Sequence, residues 1–544
     1  MPIIDRMRPH MQLDDKELLA AWASVGSAQE RWLVSDPLRF ADVDASAASM
    51  LNVVGGKEIP VEVEIVTRPK GNRGTREEVF PDVTTSVFLQ LVADRIADTI
   101  TEPGDSLSIR LFGVRLRGQN PYDAWTSAVT SWLGSELDAG RVVIVCDLKD
   151  YFTNIQKEHV EQALAGRIAE PFSVQALRLL DAIHDHCQIQ GRQTKGLPVC
   201  PADFFWLIAD LVLWPLDREI RRSPHVMRYA RWVDDLFIST TPSHLEQVTA
   251  RIEAAAAGLG FALNSTKTRI FSSSEQFRKE SHVAEHDLVS HLFATADRGL
   301  RAPRAETLIR ELRTGVMGVS TEDSRLIKRV YGLAAFMSSP ILHDSVSADL
   351  DRFPMAERAI LNYLGTHGWA DTVDDFAVSA LESAATDSRM ILVLRSLLDA
   401  PLASENRRLL SYLQTIALDA EHKIHPYTRA VIAAVLAKNR HADVFAQFAE
   451  QFLPRVSGLR SSIARRVAYE ALILAKGLPQ WAPAVRDDPS SLVTGLARLR
   501  DGAVTESERA ALCAIAQQRR PRHASWGDIE GSIARQIVTS WRNG

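Results

Sequence analysis

The alternation of apolar and polar positions changes character along the chain. Over residues 57–66 the stretch KEIPVEVEIV alternates apolar and acidic side chains with the two-residue period of a half-buried strand. It runs into RPKGNRGTREE, which reads as a basic, glycine-punctuated loop, and then into the helical pattern SVFLQLVADRIADTI. The segment LSIRLFGVRLRG is strand-like and basic, carrying Arg110, Arg115 and Arg117 with no acid between them. Two apolar runs follow that predict buried strands: RVVIVCDLKD, ending at Asp147, and RWVDDLFIST, interrupted by the adjacent Asp234 and Asp235. HVEQALAGRIAE, SVQALRLLDAIHDHC and ADFFWLIADLVLWPLDREIRR between them have helical periodicity, and EQVTARIEAAAAGLG is a further helix stopped by Gly258 and Gly260. The order of these elements predicts an α+β domain.

Beyond about residue 300 the strand signals end. AETLIRELRTGVMG, SRMILVLRSLLDA, ENRRLLSYLQTIALDA, YTRAVIAAVLAKN and SIARRVAYEALILAKG succeed one another as helices separated by short polar, Pro or Gly breaks. This part is expected to be all α, with helix pairs stacked as in a HEAT-like solenoid, although no fixed-period signature marks the repeats.

A chain of 544 residues has room for several domains, and 46% hydrophobic with 24% charged positions excludes wholesale disorder. The net charge of -5 provides no global basic field, so a polyanion would have to be met by a local patch. Cys146, Cys187, Cys200 and Cys513 form no CxxC pair and are too scattered for a disulfide framework, which predicts a reducing, cytoplasmic setting. The start, MPIIDRMRPH, lacks the apolar core of a secretory signal. The longest apolar stretch, Phe204 to Leu216, contains Asp210 and falls short of the roughly 20 residues a bilayer needs, so no membrane association is expected.

Candidate chemistry centres on Asp147, Asp234 and Asp235. Carboxylates in strands of one sheet are costly as core residues, and a pair of divalent cations roughly 3.5–4 Å apart would resolve that cost while serving in-line phosphoryl transfer. The plain structural alternative is an ordinary strand-end turn beside an exposed Asp147. Other signals are weaker. GRQTKGL has P-loop glycine spacing without the following Lys and Ser/Thr. HDHC at His184 to Cys187 crowds its donors on one helix without a distant second pair for zinc. REIRRSPHVMRYAR has the charge for phosphate contacts, whereas Trp206 and Trp214 sit at helical spacing and read as core.

Five stretches, taken in order, resemble a reverse transcriptase over roughly residues 61–275. VCDLKDYFTNI looks like the first catalytic motif, RYARWVDDLFI like the aromatic-x-Asp-Asp hairpin, and GRQTKGLPVCPADFF like the Gly-Leu-Pro turn and its helix. LGFALNSTKTRIF is similar to the motif that follows the hairpin, and TRPKGNRGTREE with DVTTSVFLQLVADRI to the basic loop and helix that hold a triphosphate. The resemblance implies a right-hand polymerase, with an N-terminal segment at 1–60, fingers at 61–140, palm at 141–300 and the all-helical C-terminal domain at 301–544. It implies that Asp147, Asp234 and Asp235 hold two Mg2+ ions, with Mn2+ as an alternative. Lys267 would be the proton donor to pyrophosphate and Phe152 the steric gate against a ribose 2′-hydroxyl. Lys70 and Arg76 would be triphosphate contacts, and Gly196 and Pro198 parts of the turn against template and nucleotide. The chain departs from the family at Val199 and Cys200, where Gln and Gly are usual, and at Trp232, where Tyr or Phe is usual.

A polymerase core joined to a large helical domain looks most like the abortive-infection and defence-associated bacterial enzymes. That likeness implies antiphage defence, deoxynucleoside triphosphates as substrates, weakly templated or protein-primed synthesis with the DNA product covalently attached, and homo-oligomers. Tyr331, Tyr363, Tyr412, Tyr427 and Tyr469 are the C-terminal hydroxyls open to priming. The alternatives are a conventional reverse transcriptase copying a partner RNA, and an interaction protein with a vestigial palm.

Overall fold

The computed structural model describes residues 61–70, 74–99, 121–168, 172–189, 195–280, 283–297, 305–318, 324–367, 373–384, 386–399, 407–419, 424–438, 442–456 and 461–474, with a few isolated positions besides. Arg110, Arg115 and Arg117 lie outside the described residues. The chain is α+β, mostly helical with small antiparallel sheets, and divides into two units. One is residues 87–287; the other joins residues 1–86 to 288–544.

In the 87–287 unit the sheet is built from β3 (Val142–Asp147), β4 (Arg228–Trp232), β5 (Asp235–Thr240) and β6 (Arg269–Phe271), in the antiparallel order β4-β5-β3-β6. The strands β1 (Val63–Lys70) and β2 (Gly74–Pro81) belong to the other unit. The β-branched run of β3 suits a central strand, and its alternation divides the two faces. Val143 and Val145, with Ala230, Trp232, Phe237 and Phe271, pack against Val129, Trp132, Leu133 and Leu137 of the helix α2 (Pro121–Asp138). The helix before it is α1 (Val83–Thr99), whose first turn is capped by Asp82: its carboxylate accepts the Thr84 and Thr85 amides at 2.8 and 3.2 Å.

The sequence pattern does not predict the short α3 (Tyr151–Asn154) after β3. The predicted helices of this unit are present as α4 (Lys157–Leu164), α5 (Phe172–Ile189), α6 (Asp203–Val212), α7 (Trp214–Arg221) and α8 (Leu245–Gly258); α9 (Ser274–Glu280) after β6 is again one that the pattern does not predict. Two readings change. The single helix expected over 202–222 breaks at Leu213, because Pro215 has no amide to donate and starts a new helix at its first turn. The single strand expected over 231–240 is a hairpin, with Val233 and Asp234 as the turn between β4 and β5.

In the other unit the described part of the stretch expected as a basic loop instead supplies the end of β1 and the larger part of β2. Charge density argued for a loop, but Glu78 on β2 gathers one arginine from each strand. Arg68 meets Glu78 at 2.7 Å and Arg76 meets the same carboxylate at 2.9 Å. The hairpin therefore groups with the helical part rather than with the 87–287 unit. The helices α10 (Val283–Asp297), α11 (Ala305–Gly318), α12 (Ser324–Phe336), α13 (Val346–Arg352), α14 (Glu357–His367), α15 (Val373–Glu382), α16 (Asp387–Asp399), α17 (Arg407–Leu418), α18 (Pro426–Lys438), α19 (Ala442–Val456) and α20 (Ser462–Leu474) follow without a strand among the described residues. Alternate helices are neighbours: α12, α14, α16, α18 and α20 form one row, and α15, α17 and α19 a second row packed on it. This is the stacking of helix pairs that builds solenoids.

β1 runs past the starts of three helices of the first row. The Thr67 amide donates to Asp387 at 3.2 Å, the Ile65 carbonyl bonds His425 Nε2 at 2.8 Å, and the Glu64 carboxylate accepts the Ser461 hydroxyl. Ser461 in turn caps α20 through the Ala464 amide at 3.0 Å. Burial, and then the neighbouring Glu62, push the Glu64 carboxyl well above its ordinary range.

Candidate functional site

Asp147 is the last residue of β3, and the ladder places it opposite Asp235, the first residue of β5. Like charges at directly opposed positions destabilise a sheet, so a pair kept there calls for a counter-charge. Asp234, in the turn, completes the group and shares a hydrogen bond with Asp147. Burial, then Asp235, then Asp147 push the Asp234 carboxyl up to about 8. The three carboxyl groups therefore resist being ionised together.

One balancing cation is Lys267, whose ammonium lies 2.5 Å from Asp147 Oδ2. Partial burial pulls the Lys267 pKa down, but the bond to Asp147 and the charges of Asp235 and Asp234 carry it above its ordinary value. The side chain is largely exposed, so the ammonium sits on a stem free to turn. Asn264 holds the same aspartate from the segment after α8: its amide nitrogen donates to the Asp147 carbonyl at 2.7 Å and its side chain to Oδ2 at 3.2 Å. The Leu148 amide donates to the Asp234 carbonyl at 3.3 Å and ties the turn to the end of β3.

Phe152 stands on α3, half-buried, with its ring edge-on to Trp206 at 5.2 Å and to Tyr151 at 5.8 Å. The Gly196–Pro198 turn is pinned to it. The Leu197 amide donates to the Phe152 carbonyl at 2.8 Å, and Gly196 has φ +69 with no room for a Cβ against the Phe152 and Thr153 backbone. His184 bonds the Gly196 carbonyl at 2.8 Å, which accounts for that histidine without zinc. Pro198 is buried, Val199 half-buried and Cys200 buried. Trp232 packs into the α2 core cluster instead of presenting a free aromatic surface, because β4 alternation turns it toward that helix.

Asp147, Asp234, Asp235, Lys267 and, around the next turn, Phe152, Gly196 and Pro198 all belong to the 87–287 unit. Lys70 and Arg76 belong to the other unit, at the end of β1 and on β2, with Arg76 engaged by Glu78. Of the five C-terminal tyrosines, Tyr331, Tyr363, Tyr427 and Tyr469 are fully buried among the helices, and Tyr412 is half-buried with its pKa raised by burial. Sequence reading missed Asn264 and Arg231. Its only trace of the partner of Arg231 was Asp210, a charge inside an otherwise apolar run.

Among the described residues no three His, Cys, Asp or Glu side chains, Asp147, Asp234 and Asp235 included, are already grouped so as to hold a metal ion. What the three aspartates offer toward a magnesium-like cation is the chemistry of their donors, hard carboxylate oxygens at one end of the sheet. Among the described residues no helix is long and apolar enough to cross a membrane. No protein-family model matches the sequence, and no curated protein matches it.

Proposed function

We propose that the chain is a nucleotidyltransferase of reverse-transcriptase type, extending a 3′-hydroxyl with deoxynucleotides in antiphage defence. The observation that carries the reading is the convergence of Asp147, Asp234 and Asp235 on one end of an antiparallel sheet, with Lys267 as the movable cation beside them. Two magnesium ions, when bound, would activate the attacking oxygen and neutralise the leaving phosphate. Asp147, Asp234 and Asp235 would hold them through their carboxylate oxygens, with Asp234 in its ionised form. Lys267 turns from Asp147 toward the leaving pyrophosphate and protonates it from Nζ. Phe152 stands at the sugar, held there by the Gly196–Pro198 turn. The triphosphate role of Lys70 and Arg76 and the self-association rest on the resemblance alone, whereas the HEAT-like reading of the helical array is supported by its two rows of stacked helices.

Incubation of the purified chain with labelled deoxynucleotides and Mg2+ tests this reading. Incorporation lost in Asp234→Ala supports it; an inactive wild-type chain overturns it and leaves the interaction-protein reading. A denaturation-resistant, protease-sensitive label would mark protein priming, with Tyr412 as the C-terminal tyrosine nearest the surface. Trp232 is half-buried and packs partly against the α2 cluster, which weakens one of two reasons to expect weak templating and supports the RNA-templated enzyme as the second reading. Product sequence that follows a supplied RNA decides for it.

A further inference from the structure

Arg231 has no place in the chemistry above, yet it is fully buried two residues before the turn and every one of its five N–H donors is used. Nε and Nη2 grip Asp217 at 2.7 Å each, and Nη1 meets Asp210 Oδ1 at 2.8 Å. Nη2 also donates to the Asp210 carbonyl at 3.1 Å, and the last donor, on Nη1, reaches the Val233 carbonyl at 2.8 Å. Tyr229 completes the cluster, donating to Asp217 at 2.6 Å. Both acids come from helices, Asp210 from α6 and Asp217 from α7.

The Val233 bond distinguishes this cluster from a staple between β4 and two helices. Val233 has φ 53, in the left-handed region where a β-branched residue is a steric outlier. Such a conformation persists only where its surroundings impose it, and Arg231 holds the carbonyl of that residue. That carbonyl belongs to the peptide leading into Asp234, and the next carbonyl, of Asp234 itself, is held by the Leu148 amide. The two bonds grip the turn from both sides of the Asp234 Cα. The peptide planes flanking Asp234 therefore depend on a guanidinium anchored in two helices and on the residue following Asp147.

We propose that Arg231 is a positioning residue: anchored by Asp210 and Asp217, it holds Val233 in its left-handed conformation and so sets Asp234 against Asp147 and Asp235. The proposal rests on the nucleotidyl-transfer reading of that site. A glycine at 233 would adopt the same φ without being held, so the dependence on Arg231 should weaken when Val233 is replaced by Gly.

The test compares Arg231→Lys, Val233→Gly and the double variant in the full chain. Nucleotide incorporation, Mn2+ titration by electron paramagnetic resonance and thermal melting are measured for each. Arg231→Lys is expected to lower kcat about a hundredfold with KM for nucleotide nearly unchanged, as displacement of a reacting group by about 1 Å does. Mn2+ affinity should fall roughly tenfold, the usual effect of losing an outer support of a ligand. Adding Val233→Gly should restore about tenfold of the lost rate, since glycine has no steric preference against this φ. Asp217→Asn, which keeps volume and loosens the grip, reads the same coupling if Arg231→Lys does not fold.

Folded variants with wild-type kcat and Mn2+ affinity, or losses that Val233→Gly leaves unchanged, overturn the proposal and reduce Arg231 to a staple. If the wild type binds Mn2+ but incorporates nothing, the functional reading fails while the Mn2+ titrations still decide on Arg231. A wild type that binds no Mn2+ overturns both.

Discussion

Asp147 and Asp235 face each other across the β3–β5 ladder, two carboxylates at opposed positions of an antiparallel sheet. Packing alone gives no reason to keep such a pair, and the hydrogen bond between Asp234 and Asp147 adds a third acid to it. Charge that is costly to the fold is concentrated where the proposed nucleotidyl transfer would need its metal ligands.

Removing an acid from this group should separate activity from stability. Asp234→Ala and Asp147→Ala are each expected to reduce nucleotide incorporation by about three decades, equivalent to about 4 kcal/mol of transition-state stabilisation. Asp234→Ala also removes a carboxyl that burial and two neighbouring acids already disfavour, so its melting temperature should equal or exceed that of the wild type. Near-native incorporation by either variant would sink the metal-ligand assignment.

Phe152→Ala should admit ribonucleotides. The ring is half-buried against Trp206 while the Gly196–Pro198 turn holds the backbone carbonyl of Phe152, so removing the ring opens space without disturbing β3. Competition between matched ribo- and deoxyribonucleotides measures the preference. An unchanged ratio would strip Phe152 of the gate role.

Gly196→Ala is expected to destabilise the 87–287 unit by about 1–3 kcal/mol, the range for a side chain forced into a left-handed backbone. The added methyl also meets the Phe152 and Thr153 backbone, so the gate should shift and sugar selectivity should relax with it. Denaturant titration and the same nucleotide competition follow both effects. A variant as stable and as selective as the wild type would show that the turn does not hold Phe152.

Asp210 carries a pH signature. Burial, partly offset by Arg231 and reinforced by Asp217, pushes its carboxyl from 3.8 to about 6. A raised carboxyl pKa means that the native state binds the proton more tightly than the unfolded chain. Its ionisation therefore costs stability progressively as pH rises from about 4 through about 6, and the full cost is present above that window. Asp210→Asn should lack this pH-dependent loss, so that between pH 4 and pH 7.5 it loses less stability than wild type, by on the order of 1 kcal/mol, whatever its starting level. Unfolding curves at pH 4 and pH 7.5 with parallel losses in both proteins would contradict this.

Much was legible in local sequence. The β-branched run before Asp147 marks a buried strand because its side chains fill both faces of a sheet, and the helices at 305–318 and 462–474 follow from periodic apolar positions between breaks. The candidate acids were legible too, since charges at the ends of apolar runs stand out against their neighbours. The hairpin of β1 and β2 was not. Arg68, Arg76 and Glu78 look like a solvated loop until the strands pair and bring opposite charges together.

The sequence by itself determined which segments are strands or helices wherever the period of apolar residues is unbroken, because that period is a property of neighbours along the chain. Only the tertiary structure decided what each charge answers to. Arg231 reads as one more basic residue in an arginine-rich run until α6 and α7 bring Asp210 and Asp217 around it, and Glu64 reads as the polar side of a strand until Ser461 closes on it. These partners are separated by 14 to 397 residues, and a buried charge is stabilised by what lies beside it in space, which local periodicity does not record.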